Sequence, residues 1–487
     1  MTGRSAEIVD SEICVVGGGP AGLSAALAAR RAGAQVVLLD LFDRPGGQYF
    51  MQPPHPVSGL AAAQVGQGRA LIGKVRDSGV VIRSGVEVFG ADGAGTLLAR
   101  QGERALVVRA KALVLATGAH ERTSPFPGWT LPGVMNPGAA QRLVKMHGIT
   151  PGKRVVLAGC GPFLLVVAAQ LHHAGCEVVR VVEASPSPLR LAATLLRFPS
   201  RWAEAAGLLR AVAPLWSRFR FGRVVAEAMG EGHVNRVRFA FLDGEGRLGA
   251  DDPETIDDID ALLVGYGFRP SVEIATLLGC SLRHDWNAGG HHVAIDEASG
   301  ATSVPGVFAA GEITGVAGAY PALAGGARAG AAAARFVGRP AGHSPPSYAG
   351  RADRFAKALR RAFRVPYAAL GQLPDAETLL CRCEEVRATD VAAALQDGGC
   401  DAHGVKMWTR AGMGLCQGRI CGFGLSVYAA QRAGLDPASF GANAARFPAR
   451  PAPLDILAEA TAAAIAAPQG NLADESRGGL SGSASRD

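Results

Sequence analysis

Short apolar runs, each followed by a glycine-rich turn and an apolar helical stretch, occur twice along the chain. The first series predicts a buried strand at Glu12–Gly17, a helix at Ala21–Ala32 and a second buried strand at Val36–Asp40. A further strand, Arg104–Leu115, ends at the tripeptide Ala116-Thr117-Gly118. A strand, a glycine turn, a helix and a strand in this order open a dinucleotide-binding domain.

The same series begins again near residue 150. It predicts a strand at Arg154–Ala158, a helix at Phe163–His173 and a strand at Glu177–Glu183. Two later apolar runs, Ala261–Gly265 and Val307–Ala310, are predicted strands that return to the two sheets. The pattern therefore predicts two Rossmann-like domains in an α/β protein.

The pattern changes toward the C-terminus. A helix of small residues, Ala324–Phe336, is suited to close packing against a ligand or a sheet. A linker rich in Pro, Gly and Ser follows at Gly338–Ser347, and a separate segment, Asp375–Gly441, carries two pairs of cysteines. The end, from Gln469, is rich in Gly and Ser and is predicted to be disordered.

Composition and charge exclude several classes of protein. The net charge of +7 is moderate, and its excess lies in two Arg-rich stretches, Arg190–Arg223 and Arg351–Arg364. Neither resembles a nucleic-acid module, so solvated faces or contact with an acidic partner surface are expected. No apolar run is long enough for a membrane span, and Met1–Glu12 lacks the core of a signal peptide.

Nine cysteines are distributed unevenly. Five occur singly and are expected to be buried thiols in a reducing compartment, since no secretion signal precedes them. We therefore expect a cytoplasmic protein and leave peripheral attachment to the inner membrane open. The single cysteines are Cys14, Cys160, Cys176, Cys280 and Cys400.

The first glycine turn has the complete dinucleotide motif. Gly17 permits the tight turn, Gly19 lets the backbone approach a pyrophosphate, and Gly22 lets helix and strand pack closely. The helix N-terminus offers N–H groups to the phosphates, and Asp40 ends the next strand, where an acid can bind ribose hydroxyls. The motif predicts a bound adenine dinucleotide.

The second glycine turn departs from the motif. Leu164 stands where the third glycine is required, and a branched side chain there crowds either the helix or the pyrophosphate. Glu183 ends the following strand and is compatible with a ribose contact. NAD binding and a retained but non-binding domain are both left open. No C-x-x-C motif occurs, which disfavours dithiol chemistry.

The paired cysteines flank the helical stretch Asp390–Gln396. Four thiolates can hold a [2Fe–2S] cluster, two on each iron, or a structural zinc ion, and unligated buried thiols are the third alternative. A one-electron carrier beside a flavin domain has an obvious use, which favours the cluster. The cysteines concerned are Cys381, Cys383, Cys416 and Cys421.

Three segments resemble thioredoxin-reductase-like flavoproteins and imply FAD at the first site. They are Asp43–Gln48, Leu113–Gly118 and Ser303–Glu312, the last with glutamate where that group usually has aspartate. The resemblance covers roughly residues 10–340. The cofactor-binding residues it implies, together with the glycine motif, are Gly17, Gly19, Pro20, Ala21, Gly22, Asp40, Gly47, Gln48, Val88, Thr117, Gly118, Gly311 and Glu312.

The C-terminal motifs resemble the bacterioferritin-associated-ferredoxin-like [2Fe–2S] module. They are Cys381–Val386 and Thr409–Cys421. Joined behind a flavoprotein, and with Glu121–Val134 and Asn136–Leu143, they resemble the α (A) subunits of multisubunit amine dehydrogenases. That group includes opine oxidases, D-hydroxyproline dehydrogenase, hydrogen cyanide synthase and dye-linked L-proline dehydrogenase, with heterotetrameric sarcosine oxidase as a relative.

The resemblance implies an electron-transfer subunit. A β subunit of the FAD-dependent amine-oxidase type would oxidise the substrate, and this chain would relay the electrons without a catalytic acid or base of its own. A small ferredoxin-like third subunit and an FMN at a subunit interface are left open. The alternatives are a self-sufficient NAD(P)H-dependent reductase with FAD and [2Fe–2S], and an assembly subunit with zinc.

These interpretations divide the chain into successive parts. They are the first part of the FAD-binding domain at 10–148, the second Rossmann-like domain with an insertion at 149–265, the returning FAD-binding segment at 266–340, a linker and helix at 341–374, the [2Fe–2S] domain at 375–441 and the disordered tail at 469–487.

Overall fold

The computed structural model describes residues 5–466 except 94, 186–187, 251–252, 341–348, 435, 437 and 442–444. Most of the predicted linker and the predicted disordered tail lie outside the described residues. The strands are β1 Glu7–Val16, β2 Val36–Asp40, β3 Val81–Ser84, β4 Val86–Asp92, β5 Thr96–Gln101, β6 Arg104–Leu115, β7 Ala119–Glu121, β8 Val134–Met135, β9 Arg154–Gly159, β10 Glu177–Glu183, β11 Phe219–Phe221, β12 Arg223–Met229, β13 Arg236–Phe241, β14 Glu254–Asp257, β15 Ala261–Gly265, β16 Phe268–Pro270, β17 Leu282–Asp285, β18 Gly290–Val293, β19 Val307–Ala309, β20 Leu379–Cys381 and β21 Val386–Arg387.

The α-helices connect these strands and form most of the C-terminal region. They are α1 Pro20–Arg31, α2 Gly59–Asp77, α3 Pro137–Arg142, α4 Pro162–His173, α5 Leu189–Leu196, α6 Trp202–Val212, α7 Glu273–Leu277, α8 Ala319–Phe336, α9 Ala349–Ala362, α10 Tyr367–Gln372, α11 Ala388–Gln396, α12 Ala402–Thr409, α13 Cys421–Ala433 and α14 Leu454–Ala466.

The first domain is built on β6, a long strand of one seven-stranded sheet in the order β3-β2-β1-β6-β5-β4. It pairs parallel with β1 along Leu106–Leu115 and with β19 at Leu113–Leu115, and its N-terminal part pairs antiparallel with β5. The central strands are continuous Val, Ile and Leu runs because helices cover one face and β4, β5 and returning segments cover the other. The carboxyl ends of β1 and β2 carry the first glycine turn and Asp40.

Helix α8 packs directly on α1, and small residues permit the contact. A Cβ on Gly326 would lie 2.1 Å from the Ala21 carbonyl oxygen, and a Cβ on Gly330 would lie 2.1 Å from that of Ala25. The sequence predicted close packing against a ligand or a sheet. The partner is instead the helix that begins at the first nucleotide turn, so α8 fixes the position of that turn.

The second domain repeats the arrangement with a five-stranded parallel sheet in the order β11-β10-β9-β15-β8 and a three-stranded antiparallel layer, β12-β13-β14. Its strand β8 lies before residue 149, where the sequence placed the start of this domain. Helices α5 and α6 form the insertion between β10 and β11. The short antiparallel pair β7–β16 joins the two domains where the chain crosses between them.

The C-terminal domain consists of the β20–β21 hairpin and α11, α12 and α13, and its core includes Leu380, Tyr428 and Phe440. Helix α13 also packs on the second domain, since Phe423 and Val427 belong to the core of that domain. After it, α14 returns to the first domain and packs on β5 and β6 through Ile456 and Ala460. The α/β fold with two Rossmann-like domains and a helical C-terminal region is thus confirmed.

Candidate functional site

The first glycine turn leaves no room for side chains. Gly17 has φ +107°, and a Cβ there would lie 2.2 Å from the Ala116 carbonyl oxygen. A Cβ on Gly22 would lie 1.8 Å from the Gly17 carbonyl oxygen. Both glycines are therefore required by the contact between β1, β6 and α1, while Gly19, with ordinary backbone angles, stands at the N-terminus of α1.

The N-terminus of α1 is open to an anion. Among the described residues, no side chain caps it, so its first N–H groups remain available. The loop carrying Gly47 closes over it: a Cβ on Gly47 would lie 2.8 Å from Gly19 Cα, and the Gly46 N–H donates to the Gly18 carbonyl oxygen at 2.8 Å. This backbone cradle fits a diphosphate.

Asp40 is buried at the end of β2, directly beside the turn. Its Oδ1 accepts the Phe42 N–H at 2.8 Å. Burial raises the pKa of Asp40 to about 6, and N–H groups of Phe42 and Gly18 partly oppose that rise. A buried carboxylate that lines the cleft at this point suits ribose hydroxyl groups, and that contact stays a prediction.

A cleft of about 1550 Å³ runs between the two Rossmann-like domains. This volume exceeds the roughly 300–1,000 Å³ of ordinary small-molecule pockets and is large enough for a dinucleotide. We refer to it as the nucleotide cleft. Its lining includes eleven of the thirteen predicted cofactor residues, namely Gly17, Gly19, Pro20, Ala21, Asp40, Gly47, Gln48, Val88, Thr117, Gly118 and Glu312.

The other two predicted cofactor residues, Gly22 and Gly311, do not line the nucleotide cleft. Gly311 has φ +81°, and a Cβ there would lie 2.7 Å from the Ala21 Cβ. Both glycines act by letting backbone segments approach each other. Gly22 and Gly311 therefore pack behind the wall of the cleft and shape it without lining it.

Glu312 lies in the wall of the cleft but is bound to its own loop. One carboxylate oxygen accepts the N–H of Gly318 at 2.7 Å and that of Ala317 at 3.2 Å. Burial raises the pKa of Glu312, and these two N–H groups oppose the rise. Its longer side chain thus reaches the start of α8, and a contact with a ribityl chain stays a prediction.

The second glycine turn is occupied by protein groups. The Glu183 carboxylate accepts the Gly161 N–H at 3.0 Å and the Ser185 N–H at 2.9 Å. Gly161 stands at the N-terminus of α4, so its N–H is one that a bound pyrophosphate would use. Leu164, in the place of the third glycine, is buried at 3% exposure.

The segment after α9 also covers this turn. The Arg364 N–H donates to Ser185 Oγ at 3.3 Å, and Phe363 and Val365 line the cleft beside Cys160. Apolar side chains therefore replace the polar surroundings that a second dinucleotide requires. The geometry favours the retained, non-binding domain over the NAD-binding one.

Two ionisable side chains in the cleft, the half-buried Glu121 and the buried Lys145, were missed by the sequence analysis. Glu121 accepts the Gly138 N–H at 2.8 Å, and burial raises its pKa to about 8. Lys145 donates to Gln64 Oε1 at 2.8 Å, and burial lowers its pKa to about 8. Neither lies in a glycine or cysteine motif, so local pattern carried no signal for them.

Arg122 is a third such residue, 3% exposed. Its guanidinium lies against the rings of Trp286, Tyr367 and Phe423 at 5.1–5.9 Å. It donates to the Tyr367 hydroxyl and to the Trp286 carbonyl oxygen, both at 3.0 Å. These contacts join the first domain to α10 and α13 at the wall of the cleft.

The four paired cysteines converge in the C-terminal domain. The Cys383 sulfur lies 3.9 Å from that of Cys381 and 3.8 Å from that of Cys416. Cys421 hydrogen-bonds to both Cys381 and Cys416, which closes a ring of four thiols. We refer to it as the thiol ring.

The surroundings of the thiol ring lower the pKa of Cys381 and Cys416, whereas the neighbouring thiols and burial raise the pKa of Cys383 and Cys421. The Cys421 hydrogen bond lowers the pKa of Cys381, and N–H groups of Gly412 and Glu384 lower it further. The same donor lowers the pKa of Cys416. Sulfurs that accept several N–H groups are suited to metal ligation. Among the described residues, no group of three or more Cys, His, Asp or Glu side chains has the geometry of a metal site, so ligation by the thiol ring is a proposal.

Glycines let the ring form. A Cβ on Gly414 would lie 2.5 Å from the Cys383 sulfur, and Gly418, with φ +76°, follows Cys416 in the second cysteine loop. Cys383 is exposed to solvent, whereas Cys381 and Cys421 are buried. The thiol ring thus reaches the protein surface at one edge.

A short series of contacts joins the turn Ala116–Gly118, which abuts Gly17 of the first nucleotide turn, to the thiol ring. Thr117 Oγ1 donates to the Ser271 carbonyl oxygen at 2.6 Å, and Ser271 Oγ lies 3.2 Å from His120 Nδ1. His120 faces the backbone of Arg419, whose guanidinium donates to the Cys416 carbonyl oxygen at 3.2 Å. Arg419 also lines the nucleotide cleft.

Four of the five cysteines that were predicted to be single buried thiols are buried, and one is exposed. Cys14, Cys160, Cys176 and Cys280 are buried. Cys400 is exposed, so the prediction is wrong for this residue. It follows two glycines after α11, where the chain turns at the surface. Separately, no helix in the described part of the chain has the length and apolarity needed to cross a bilayer.

Two family models match the sequence. Residues 11–333 match the family described as pyridine nucleotide-disulphide oxidoreductase. Residues 377–461 match the sarcosine oxidase A3 domain. The first match covers both Rossmann-like domains, and the second begins just before the thiol ring and extends into α14.

Known proteins match over most of the chain. The HcnB subunit of hydrogen cyanide synthase from Pseudomonas aeruginosa is 34% identical over 425 residues, which are 84% of this chain and 90% of that protein. The A subunit of opine oxidase from Agrobacterium tumefaciens (strain Ach5) is 31% identical over 479 residues, 92% of this chain and 91% of that protein. The crystal structure of L-proline dehydrogenase from P. horikoshii matches with a TM-score of 0.66 at 21% identity, covering 93% of this chain and 80% of that one, and shows the shared fold.

Proposed function

The chain belongs to the pyridine nucleotide-disulphide oxidoreductase family, in the group of HcnB and the opine oxidase A subunits, and from this premise we propose that it is the electron-transfer subunit of a heteromeric dehydrogenase. The proposed substrates are amino or imino acids of the opine, hydroxyproline, proline or glycine type. Electrons taken from the substrate in a partner subunit would pass through this chain to an acceptor.

The first nucleotide turn fits FAD. The open N-terminus of α1 and the backbone of Gly19 and Gly47 suit a diphosphate, and Asp40 suits a ribose. Thr117 and Gly118 line the same cleft. Another adenine nucleotide would use the same groups.

The thiol ring fits a [2Fe–2S] cluster. Its four sulfurs match the ligand number, and N–H groups at Cys381 and Cys416 stabilise negative charge on sulfur. When bound, FAD and the cluster would supply two-electron and one-electron redox chemistry, respectively.

The observation that carries the proposal is the contact series from Thr117 through Ser271 and His120 to Arg419 and Cys416. It joins the two proposed cofactor sites within one packed interface. An isolated zinc site would have no need of this arrangement. The exposed position of Cys383 supports transfer to or from another protein.

The chain's own residues hold and shield the cofactors. Arg419 ties the cysteine loop to the cleft through its bond to Cys416 and its ion pair with Glu273, 3.3 Å away. Arg122 holds α10 and α13 against the first domain. Glu183 and Leu164 keep pyridine nucleotide away from the second turn, so electrons have to enter from elsewhere.

The proposed partner is a β subunit of the FAD-dependent amine-oxidase type. It would remove hydride from the carbon next to nitrogen, and water would hydrolyse the resulting imine. This division explains why the predicted site residues of this chain bind cofactors and include no general acid or base. FMN at a subunit interface and a small ferredoxin-like subunit remain part of the proposal to be tested.

The test is co-expression of the chain with the products of neighbouring reading frames, followed by anaerobic reduction. We expect an amine-oxidase-type subunit to co-purify, and the amino-acid substrate to bleach the flavin of the complex. NADH should bleach it little. Rapid bleaching of the isolated chain by NADH would contradict the proposal and support a self-sufficient reductase.

A further inference from the structure

One lysine is buried in the nucleotide cleft without an acid beside it. Lys145 lies in the π-helical turn Leu143–His147 that follows α3, and it is 3% exposed. Its Nζ donates to Gln64 Oε1 on α2 at 2.8 Å, and among the described residues it forms no ion pair. A buried ammonium group that meets only a neutral amide bears the cost of losing its water, so the site lacks a negative charge.

Arg142 presents a second positive charge to the same cleft. It ends α3 three residues before Lys145, and residues three apart are neighbours on a helix. Its guanidinium lies 4.3 Å from the centre of the Phe42 ring. Within the described ranges this side chain has no hydrogen bond or ion pair, so the ring supports the guanidinium while its N–H groups can bind a ligand.

The acids around these two residues are engaged elsewhere. Tyr49 hydrogen-bonds to Gln64 and faces Glu204, which pairs with Arg201 at 3.1 Å. The carboxylate of Asp40 accepts the Phe42 N–H. In the part of the chain that the structure describes, neither acid forms an ion pair with Arg142 or Lys145. We call Arg142 and Lys145 the cation pair.

The first nucleotide turn has anion-binding groups of its own. Its diphosphate cradle is made by the N-terminus of α1 and by the backbone of Gly19 and Gly47. The cation pair belongs to the segment that follows β8, a strand of the second domain. The cleft of about 1550 Å³ is larger than ordinary pockets of roughly 300–1,000 Å³, which leaves room for a further ligand.

We propose that the cation pair binds the phosphate group of a second ligand in the nucleotide cleft, as inorganic phosphate or as a sugar phosphate. A phosphate monoester carries a charge of about −1.5 to −2 at neutral pH, which matches two cations better than a carboxylate does. Arginine binds phosphate through two parallel N–H groups, and lysine adds a point charge. The proposal does not depend on the electron-transfer function, since it rests on the cation pair and the cleft alone.

The pKa of Lys145 agrees with a site that lacks its anion. Burial lowers this pKa to about 8, and no neighbouring carboxylate opposes the change. A phosphate bound beside the ammonium group would favour the charged form and raise the pKa again. A bond to Gln64 that served only to join α2 to the second domain would need no charge at position 145.

Calorimetric titration of the full chain with inorganic phosphate, ribose 5-phosphate and acetate, in saturating FAD, tests the proposal. We expect saturable phosphate binding, and acetate binding weaker by about tenfold or more. Tighter binding of ribose 5-phosphate than of inorganic phosphate would identify a sugar phosphate as the ligand, and equal or weaker binding would identify free phosphate. Equal binding of acetate would overturn the proposal, as would phosphate binding that disappears when FAD is present, because the cation pair would then serve the first nucleotide.

Substitutions locate the phosphate. Lys145→Met and Arg142→Gln each remove one charge and should weaken phosphate binding about tenfold or more, whereas Arg142→Lys, which keeps the charge, should lose less. Lys74→Met and Arg69→Gln, at exposed residues of α2, are the matched controls and should bind phosphate like the wild type. Unchanged binding in both Lys145→Met and Arg142→Gln would show that phosphate binds elsewhere.

A measurement on the wild type decides the matter if a variant fails to fold. Nuclear magnetic resonance of ¹⁵N-labelled lysine follows the ionisation of Nζ with and without inorganic phosphate. We expect saturating phosphate to raise the pKa of Lys145 from about 8. A pKa that phosphate leaves unchanged would contradict the proposal.

Discussion

The carboxylate of Asp40 stands where a side chain at Gly18 would have to lie, since a Cβ on Gly18 would be 2.1 Å from Asp40 Oδ2. The glycine turn and the acid therefore depend on each other. Because Asp40 is buried, it cannot move aside without loss of its bond to the Phe42 N–H. Any side chain at Gly18 has to displace the proposed ribose ligand.

Gly18→Ala should therefore lose bound flavin while the rest of the fold remains. The measurement is the flavin absorbance per purified chain, with circular dichroism as a check on folding. Gly66→Ala is the matched control, because a Cβ at Gly66, inside α2, would meet nothing within 4 Å. Full flavin content in Gly18→Ala would show that the nucleotide does not use this turn.

The neighbouring glycines of α8 give a second matched pair. A Cβ on Gly326 would lie 2.1 Å from the Ala21 carbonyl oxygen, whereas the nearest atom to a Cβ on Gly325 is 3.8 Å away. Gly326→Ala should lower the free energy of unfolding by about 1–3 kcal/mol, as overpacking does, and should weaken flavin retention. Gly325→Ala should change neither the free energy of unfolding, measured by urea denaturation, nor flavin retention. Equal stability of the two variants would refute the α1–α8 contact.

Glu121 should make stability depend on pH. Its pKa is raised by burial from the usual 4.5 to about 8, so the folded state disfavours the charged form. Stability is then greatest below pH 4.5 and falls as the pH rises toward 8, by about 3–4 kcal/mol between pH 5 and 8 at roughly 1.4 kcal/mol per pKa unit.

Glu121→Gln keeps an acceptor for the Gly138 N–H and removes the titration. Urea denaturation of both proteins at pH 5 and pH 8 measures the effect. The variant should gain stability relative to the wild type as the pH rises. A difference between the two proteins that does not vary with pH would show that Glu121 ionises freely.

The second nucleotide turn should not bind NADH, even after a glycine is introduced at position 164. Leu164→Gly restores the motif, but the Glu183 carboxylate still holds the Gly161 N–H. We expect no heat of NADH binding by calorimetry in either the wild type or Leu164→Gly. Micromolar binding by the wild type would restore the reductase interpretation.

The strands and helices of the two βαβ units could be predicted from the sequence. Strands β2, β6, β10 and β15 have the bounds that the apolar runs indicated, because buried parallel strands are continuous apolar runs between turns. The residues of the glycine and cysteine motifs also come together as expected, since backbone approach and thiol ligation impose fixed local spacings.

Other features depend on contacts between distant parts of the chain. The return of α14 to β6, the covering of the second turn by Arg364 and the burial of Glu121 and Lys145 have no local pattern. The engagement of Glu312 with the start of α8 is a similar case. The sequence motif does not show which backbone groups this carboxylate binds.

Substitution of single cysteines in the thiol ring distinguishes metal ligands from thiols that bind no metal. Cys381→Ser and Cys416→Ser should each abolish bound metal, whereas Cys400→Ser, at an exposed cysteine outside the ring, should not. Visible absorbance and metal content after anaerobic purification give the readout. Unchanged metal content in Cys416→Ser would exclude this residue as a ligand.

The central claim is that the thiol ring holds an electron carrier beside the nucleotide cleft. Iron and acid-labile sulfide, determined on the anaerobically purified chain, test it most directly. The account predicts two iron atoms and two sulfides per chain, the content of one [2Fe–2S] cluster. One zinc ion per chain without labile sulfide would contradict it.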